Sequence, residues 1–299
     1  MATFDLDECF IDEPTLRRLA SVAGHLFRGR AAALPGRRPR RSPTASGNDF
    51  LGYRDYRAGD DLRALDWRAS ARAWHPQVKQ FGSECSTRWF ICLDRSASMR
   101  LPESGKWALA SHLTAAFAYV LLHAGNRVGL IVFSGGIDTL CASGSGREQY
   151  TRLLDAVRRC RPREEGGGSN LAACIPALRA DASVLVISDL LTEDGMRPAL
   201  DLLLRRGHEV QVVQTLSAEE CTLHRTGPTL IRDVENGVSL PVDASESGRA
   251  AAQTSLNRFR ESSDAYCRRR GIPFSSCETS RTWDRWLIDH IGKLEASND

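Results

Sequence analysis

Long hydrophobic runs are missing from this 299-residue sequence. The longest, Leu113 to Leu122, falls short of the roughly 18 apolar residues a membrane span needs. A basic start with an apolar centre is missing too. Asp5, Asp7 and Glu8 lie within the first residues instead, so no secretory leader is expected and a cytoplasmic location is. Cysteine pairing signals are absent. The nine cysteines are scattered, odd in number and without a Cys-x-x-Cys pair. Several sit in apolar runs, as Cys92 does, and they read as small buried hydrophobes in a reducing compartment. There is no Gly-x-x-x-x-Gly-Lys-[Ser/Thr] phosphate loop, no Gly-x-Ser-x-Gly nucleophile elbow and no His-x-x-x-His zinc spacing. Charge of one sign is not in excess either. The net charge is +3, so no global field points to nucleic acid.

What the chain has is enough apolar content, 42%, to bury one sizeable core with a small appendage. Its basic charge is locally uneven. Arg28, Arg30, Arg37, Arg38, Arg40 and Arg41 stand together with no acid between them. That run reads either as a solvated connector or as a docking strip for an acidic partner, phosphate or membrane surface.

The periodicity predicts a helix over 15–27, then an Arg/Pro/Gly/Ser-rich linker over 29–48. Residues 49–84 are dense in aromatics, arginines and aspartates, with strand-like character near 78–81. From Trp89 onward strands alternate with helices. Strands are expected at 89–93, 127–133, 138–142, 184–188, 209–216 and 272–277. Helices are expected at 106–124, 148–160, 171–179, 197–206, 247–270 and 282–294. Alternation of this kind predicts an α/β fold with a doubly wound, mostly parallel six-stranded sheet and a small β-rich appendage. A hairpin over 231–240, turning at Asn236-Gly237, interrupts the rhythm. The expected organisation is 1–48 as N-terminal helix and linker, 49–85 as appendage, and 86–299 as main domain with an insertion near 221–243.

In an open parallel sheet, ligands collect at the carboxyl ends of the strands. Asp94, Ser96 and Ser98 stand at the end of the first main strand, and alternate residues of an extended turn can converge on one point. Asp189 ends the strand 184–188. Ser169 and Asn170 follow a glycine run. These are oxygen ligands with no sulfur or imidazole, which suits a hard cation, Mg2+ or else Mn2+ or Ca2+. The competing reading makes Asp94, Ser96 and Ser169-Asn170 helix caps and Asp189 a strand terminus.

Asp94, Ser96, Ser98, Ser169 and Asp189 resemble the metal-ion-dependent adhesion site of von Willebrand type A domains, with Ser169 in the place of a threonine. That resemblance implies a Rossmann-like fold and a metal that binds protein rather than catalysing a reaction. The segment Tyr56 to Arg72, with Lys79-Gln80-Phe81, Glu84 and the stretch Leu230 to Glu235, resembles the bacterial domain-of-unknown-function-58 family. Members of that family are often encoded beside MoxR-type AAA+ ATPases, so the resemblance implies such an ATPase as partner. Asn170 departs from the family's Gly-Gly-Thr-Asp, which removes one nearby negative charge. Arg57, Asp60, Asp61, Arg63, Asp66 and Arg72 read as a structural ion-pair network, and Trp67 and Trp74 as packing anchors.

The function expected is a metal-dependent protein-binding module, an adaptor or co-chaperone that offers its metal to an acidic residue of the partner. Two other classes stay open. One is a metal-dependent hydrolase, since a bound metal can activate water. The other is a binder of nucleic acid or acidic surfaces through 28–41, whose binding would weaken steeply with salt.

Overall fold

The structure is a computed structural model. It describes residues 14–18, 20, 49–56, 65–73, 75–82, 87–100, 105–164, 166, 168–180, 182–191, 196–221, 227–235 and 237–296. The Arg-rich run 28–41 and the signature residues 57–64 lie outside them. The chain divides into two compact units, Met1–Phe27 with Thr87–Asp299, and Arg28–Ser86.

The larger unit is built on one six-stranded sheet. Its strands are β3 (Arg88–Asp94), β4 (Arg127–Phe133), β5 (Ile137–Gly144), β6 (Ala182–Ser188), β7 (Glu209–Leu216) and β10 (Phe274–Glu278). Their order is β10-β7-β6-β3-β4-β5. All neighbours are parallel except β4 and β5. The fold is thus mixed α/β with a mostly parallel six-stranded sheet, as the alternation predicts. The antiparallel pair follows from the short Ser134-Gly135-Gly136 connection, too short for a parallel crossover.

β3, β6 and β7 are buried along almost their whole length, which explains their unbroken apolar runs. Alternate residues feed two separate cores. Ile91, Leu93, Leu185 and Ile187 join one with Leu113, Phe117, Leu153, Trp286 and Leu287. Phe90, Cys92, Val184 and Val186 join the other with Ile175, Leu200, Leu203 and Tyr266. The helix Lys106–His123 is buried nearly all round, consistent with its lack of a polar face. Leu16 and Ala20, from the N-terminal helical residues, are part of the first core.

Several expected elements shift. The segment expected as a helix over 171–179 is a 3-10 helix, Leu171–Ala177, with Pro176 inside it. Proline lacks the N–H that a longer α-helix needs there. A short helix, Ala218–Cys221, was not expected. The hairpin is longer than its sequence signal, with β8 (Gly227–Arg232) paired antiparallel to β9 (Ser239–Ala244). Asn236, at its expected turn, lies outside the described residues. Leu230, Ile231, Val238 and Leu240 of the hairpin are all exposed.

In the smaller unit, β1 (Asp49–Asp55) pairs antiparallel with β2 (Gln77–Gly82), and Trp67–Ala73 forms a helix. Asp66 caps that helix: its Oδ1 accepts from the backbone N–H groups of Arg68 and Ala69 at 2.9 and 3.1 Å. The backbone N–H of Gln77 donates to Ser70 Oγ, and its side-chain amide to Asp55. Asp66, expected in an ion-pair network, thus serves as a helix cap, and Arg57, Asp60, Asp61 and Arg63 of that network lie outside the described residues. Trp67, expected as a packing anchor, is instead 75% exposed. Trp74 lies outside the described residues.

Candidate metal centre

The site forms where the direction of winding reverses. From β3 the sheet extends through β4 on one side and through β6 on the other, so the carboxyl ends of β3 and β6 flank a topological switch point. Register then decides which side chains meet. Leu93 is paired with Ile187, so the next residues, Asp94 and Ser188, stand beside each other.

Asp94 and Ser96 are fully buried, and Ser98 nearly so. Ser169 and Ser188 each donate a hydroxyl hydrogen bond to Asp94 Oδ2 at 2.6 Å. The backbone N–H of Ser96 donates to Asp94 Oδ1 at 2.9 Å. The Ser96 and Ser98 hydroxyls lie 3.1 Å apart. The structure thus gathers Asp94 with Ser96, Ser98 and Ser169. Asn170 occupies the N-cap position without a side-chain cap. Its amide donates to the Gly135 carbonyl and its backbone N–H to the Ser134 carbonyl.

Asp189 is fully buried as well. It is aimed by a tight turn at Leu190, the one non-glycine residue with positive φ (64°) among the described residues. Two local hydrogen bonds hold that turn, Leu190 N–H to Ser188 Oγ and Leu191 N–H to Asp189 Oδ1, both 3.0 Å. Its other oxygen meets a cation from the protein itself. Lys106 Nζ is 2.9 Å from Asp189 Oδ2 and 2.6 Å from Glu220 Oε1. Burial alone would depress the Lys106 pKa, but the two carboxylates outweigh it and hold the ammonium above its usual range. Glu220 is fixed by a reciprocal cap with Ser217: Ser217 N–H donates to Glu220 Oε2, and Glu220 N–H to Ser217 Oγ.

A second polar cluster ties the surrounding loops. Ser134 Oγ and Arg163 donate to the two oxygens of Asp138 at 2.6 and 2.9 Å. Burial works against the Asp138 carboxylate, but these hydrogen bonds and Arg95 hold its pKa below the usual value. The Arg163 N–H donates to the Arg95 carbonyl, which links the loop after β3 to the glycine run.

Sequence reasoning missed Ser188, Lys106 and Glu220. Ser188 was legible as the neighbour of Asp189 at the end of an apolar strand. Lys106 left one signal, a cation opening a helix with no polar face. Glu220 left none.

The donor set fits a hard divalent cation. Burial, and then the charge of Asp189, push the Asp94 carboxyl up to about 6, against the hydrogen bonds from Ser169, Ser188 and Ser96. Two buried carboxylates repelling each other amid hydroxyls are what a cation would relieve. Among the described residues no three His, Cys, Asp or Glu side chains gather as metal ligands. The set is therefore hydroxyl-rich and poor in anions.

The raised Asp94 pKa has a testable sign. Its folded value lies above its ordinary 3.8, so its contribution to metal-free stability is full below that value. It is lost as pH rises through about 6. The size is about 3 kcal/mol, at roughly 1.4 kcal/mol for each tenfold gain in proton affinity on folding. Urea unfolding with chelator from about pH 4 to 7 should show wild type losing that much relative to Asp94→Asn, which has no proton to lose. Parallel profiles for the two proteins would contradict it.

The sequence model of a family described as "Protein of unknown function DUF58" matches residues 52–262. Uncharacterized proteins of Mycobacterium bovis and Mycobacterium tuberculosis are each 29% identical to the chain over 240 residues, covering 76% of it and 74% of their own length. Among solved structures, a conserved hypothetical protein, BatB, from Bacteroides thetaiotaomicron matches with a TM-score of 0.45 and 17% identity, over 70% of this chain and 99% of that one. An aerotolerance-related membrane protein from Bacteroides fragilis matches with a TM-score of 0.43 and 18% identity, over 69% and 99%.

Proposed function

The chain belongs to the DUF58 family, and on that footing we propose that it is a metal-dependent protein-binding module of von Willebrand type A kind. Its role in this reading is that of an adaptor or co-chaperone for a MoxR-type AAA+ ATPase. One observation carries the reading most: Asp94, Ser96, Ser98 and Ser169 converge at a switch point between β3 and β6.

A divalent cation bound there, Mg2+ or else Mn2+ or Ca2+, would supply an open coordination position for a carboxylate oxygen of the partner. The chain's own residues prepare that position. Asp94 provides the direct negative charge, oriented by Ser188 and the backbone of Ser96. Ser96, Ser98 and Ser169 provide neutral oxygens. Asp189, whose Oδ2 is paired with Lys106, adds a partly neutralised carboxylate. So few anionic ligands leave the cation electron-poor, which favours an external carboxylate. The exposed apolar residues of the β8–β9 hairpin fit a protein ligand better than a small one.

Among the described residues no helix is long and apolar enough to cross a membrane. The buried free thiols Cys92, Cys160, Cys174, Cys267 and Cys277 support a reducing, cytoplasmic setting.

The test is a pull-down from the native cell in Mg2+, repeated in chelator. An AAA+ ATPase should be retained in the first and lost in the second. Its retention in both, or equal retention by Asp94→Ala, would sink the reading.

A further inference from the structure

The β8–β9 hairpin reaches the metal loops through its turn. Val234 accepts at its carbonyl from the Gly166 N–H at 3.1 Å. Glu235 Oε1 accepts from the backbone N–H of Ser98 at 3.0 Å. One short turn therefore touches both the Ser98 loop and the glycine run leading to Ser169. The turn is itself braced, since the Glu235 N–H donates to Asp233 Oδ1 at 2.8 Å.

The other oxygen, Glu235 Oε2, is buried and has no hydrogen-bond partner. A carboxylate oxygen can only accept, and leaving one buried without a donor is unfavourable. It belongs to a side chain anchored on the residue whose hydroxyl belongs to the candidate ligand set. Nearby anionic ligands are scarce: Asp94 is shared among three donors, and Asp189 faces Lys106.

We infer that Glu235 is an internal carboxylate for a divalent cation held by Asp94, Ser96 and Ser98, and that the hairpin is a clasp drawn onto the site when the cation binds. The inference rests on the metal-binding reading above and adds to it a residue and a consequence. Glu235 stands where a partner's acidic residue would otherwise be received. An external carboxylate must therefore displace it, and the hairpin reports which of the two is bound. Among the described residues, Glu235 and the two aspartates do not form one cluster of metal ligands. The cation supplies the attraction that closes that gap.

Mn2+ alone is the probe. Its affinity is measured by calorimetry on wild type, Glu235→Gln and Asp94→Asn, and amide exchange over 227–244 is followed with and without Mn2+. Glu235→Gln keeps a carbonyl oxygen to accept from Ser98 and removes only the charge, so a merely structural role survives it. Thermal melts without metal confirm that each variant is folded. Glu235→Gln should bind Mn2+ about tenfold more weakly or worse, and Mn2+ should slow hairpin exchange in wild type but not in this variant. Adding acetate at high concentration should restore fast hairpin exchange in Mn2+-loaded wild type. If wild type binds Mn2+ through Asp94 while Glu235→Gln binds equally well and the hairpin does not respond, the clasp is wrong and the metal site stands. If wild type binds no Mn2+ at all, both are overturned.

Discussion

Lys106→Met should lower the stability of the metal-free protein by about 3–5 kcal/mol, the usual cost of leaving a buried charge without its partner. The methionine keeps the apolar stem and removes the ammonium. Asp189 and Glu220, at 2.9 and 2.6 Å from Nζ, would then face each other without a cation. At roughly 2–4 °C for each kcal/mol in a domain of this size, the melting temperature should fall by about 10 °C. Two further results distinguish an electrostatic cause from lost packing. The double variant Lys106→Met with Asp189→Asn should recover part of the loss, because the stranded charge is gone. Mg2+ should also stabilise Lys106→Met more than wild type, since Asp189 is then free to meet the metal. A single variant melting within a degree of wild type would show that the pair contributes nothing net.

Asp94→Asn should have the opposite profile: little or no loss of metal-free stability at neutral pH, with the response to metal abolished. The carboxylate is buried beside Asp189, and its pKa of about 6 records that burial and the neighbouring carboxylate disfavour its charge. Asparagine removes that charge and keeps one oxygen for the Ser169 and Ser188 hydroxyls, which lie 2.6 Å away. Cation binding has no such substitute. At a Mg2+ concentration about 100-fold above the dissociation constant, wild type should gain about 2.7 kcal/mol. Asp94→Asn should gain none. The measurement is a melt with Mg2+ against a melt with chelator. Equal Mg2+ stabilisation of the two proteins would remove Asp94 from the ligand set. A variant that loses several kcal/mol without metal would instead make Asp94 a structural hydrogen-bond hub, the capping alternative in enlarged form.

The contrast between Lys106 and Asp94 also shows what the sequence could reveal about the site. Asp94, Ser96 and Ser98 lie within five residues, and although Ser98 stands in a 3-10 helix, Ala97–Arg100, rather than in the extended turn expected, so short a separation keeps the three close whatever the rest of the chain does. Ser169 and Asp189 were reachable because strand order puts their loops at one edge of the sheet. Lys106 and Asp189 are 83 positions apart, and Lys106 and Glu220 are 114 apart. Nothing local tells which carboxylates that lysine meets. Glu235 is 137 positions from Ser98, on an insertion with no periodic relation to the sheet.

The strands and helices of the larger unit were determined by the sequence itself, because burial on both faces demands unbroken apolar strands and buried helices leave no polar stripe. The smaller misreadings have the same local origin: a 3-10 helix around Pro176 carries much the same apolar spacing as an α-helix, and exposed Trp67 is chemically the same residue as a buried one. Four of the residues singled out from the sequence, Asp94, Ser96, Ser98 and Ser169, are joined by hydrogen bonds, while Asp189 is paired with Lys106. What tertiary structure alone decided is their charge balance. It set Ser188 beside Asp94 by strand register, placed a lysine cation on Asp189, and laid the Glu235 carboxylate against Ser98. Local pattern governs which residues can point the same way, but only packing determines which charges share a buried space, and that sharing sets how strongly the site would hold a metal.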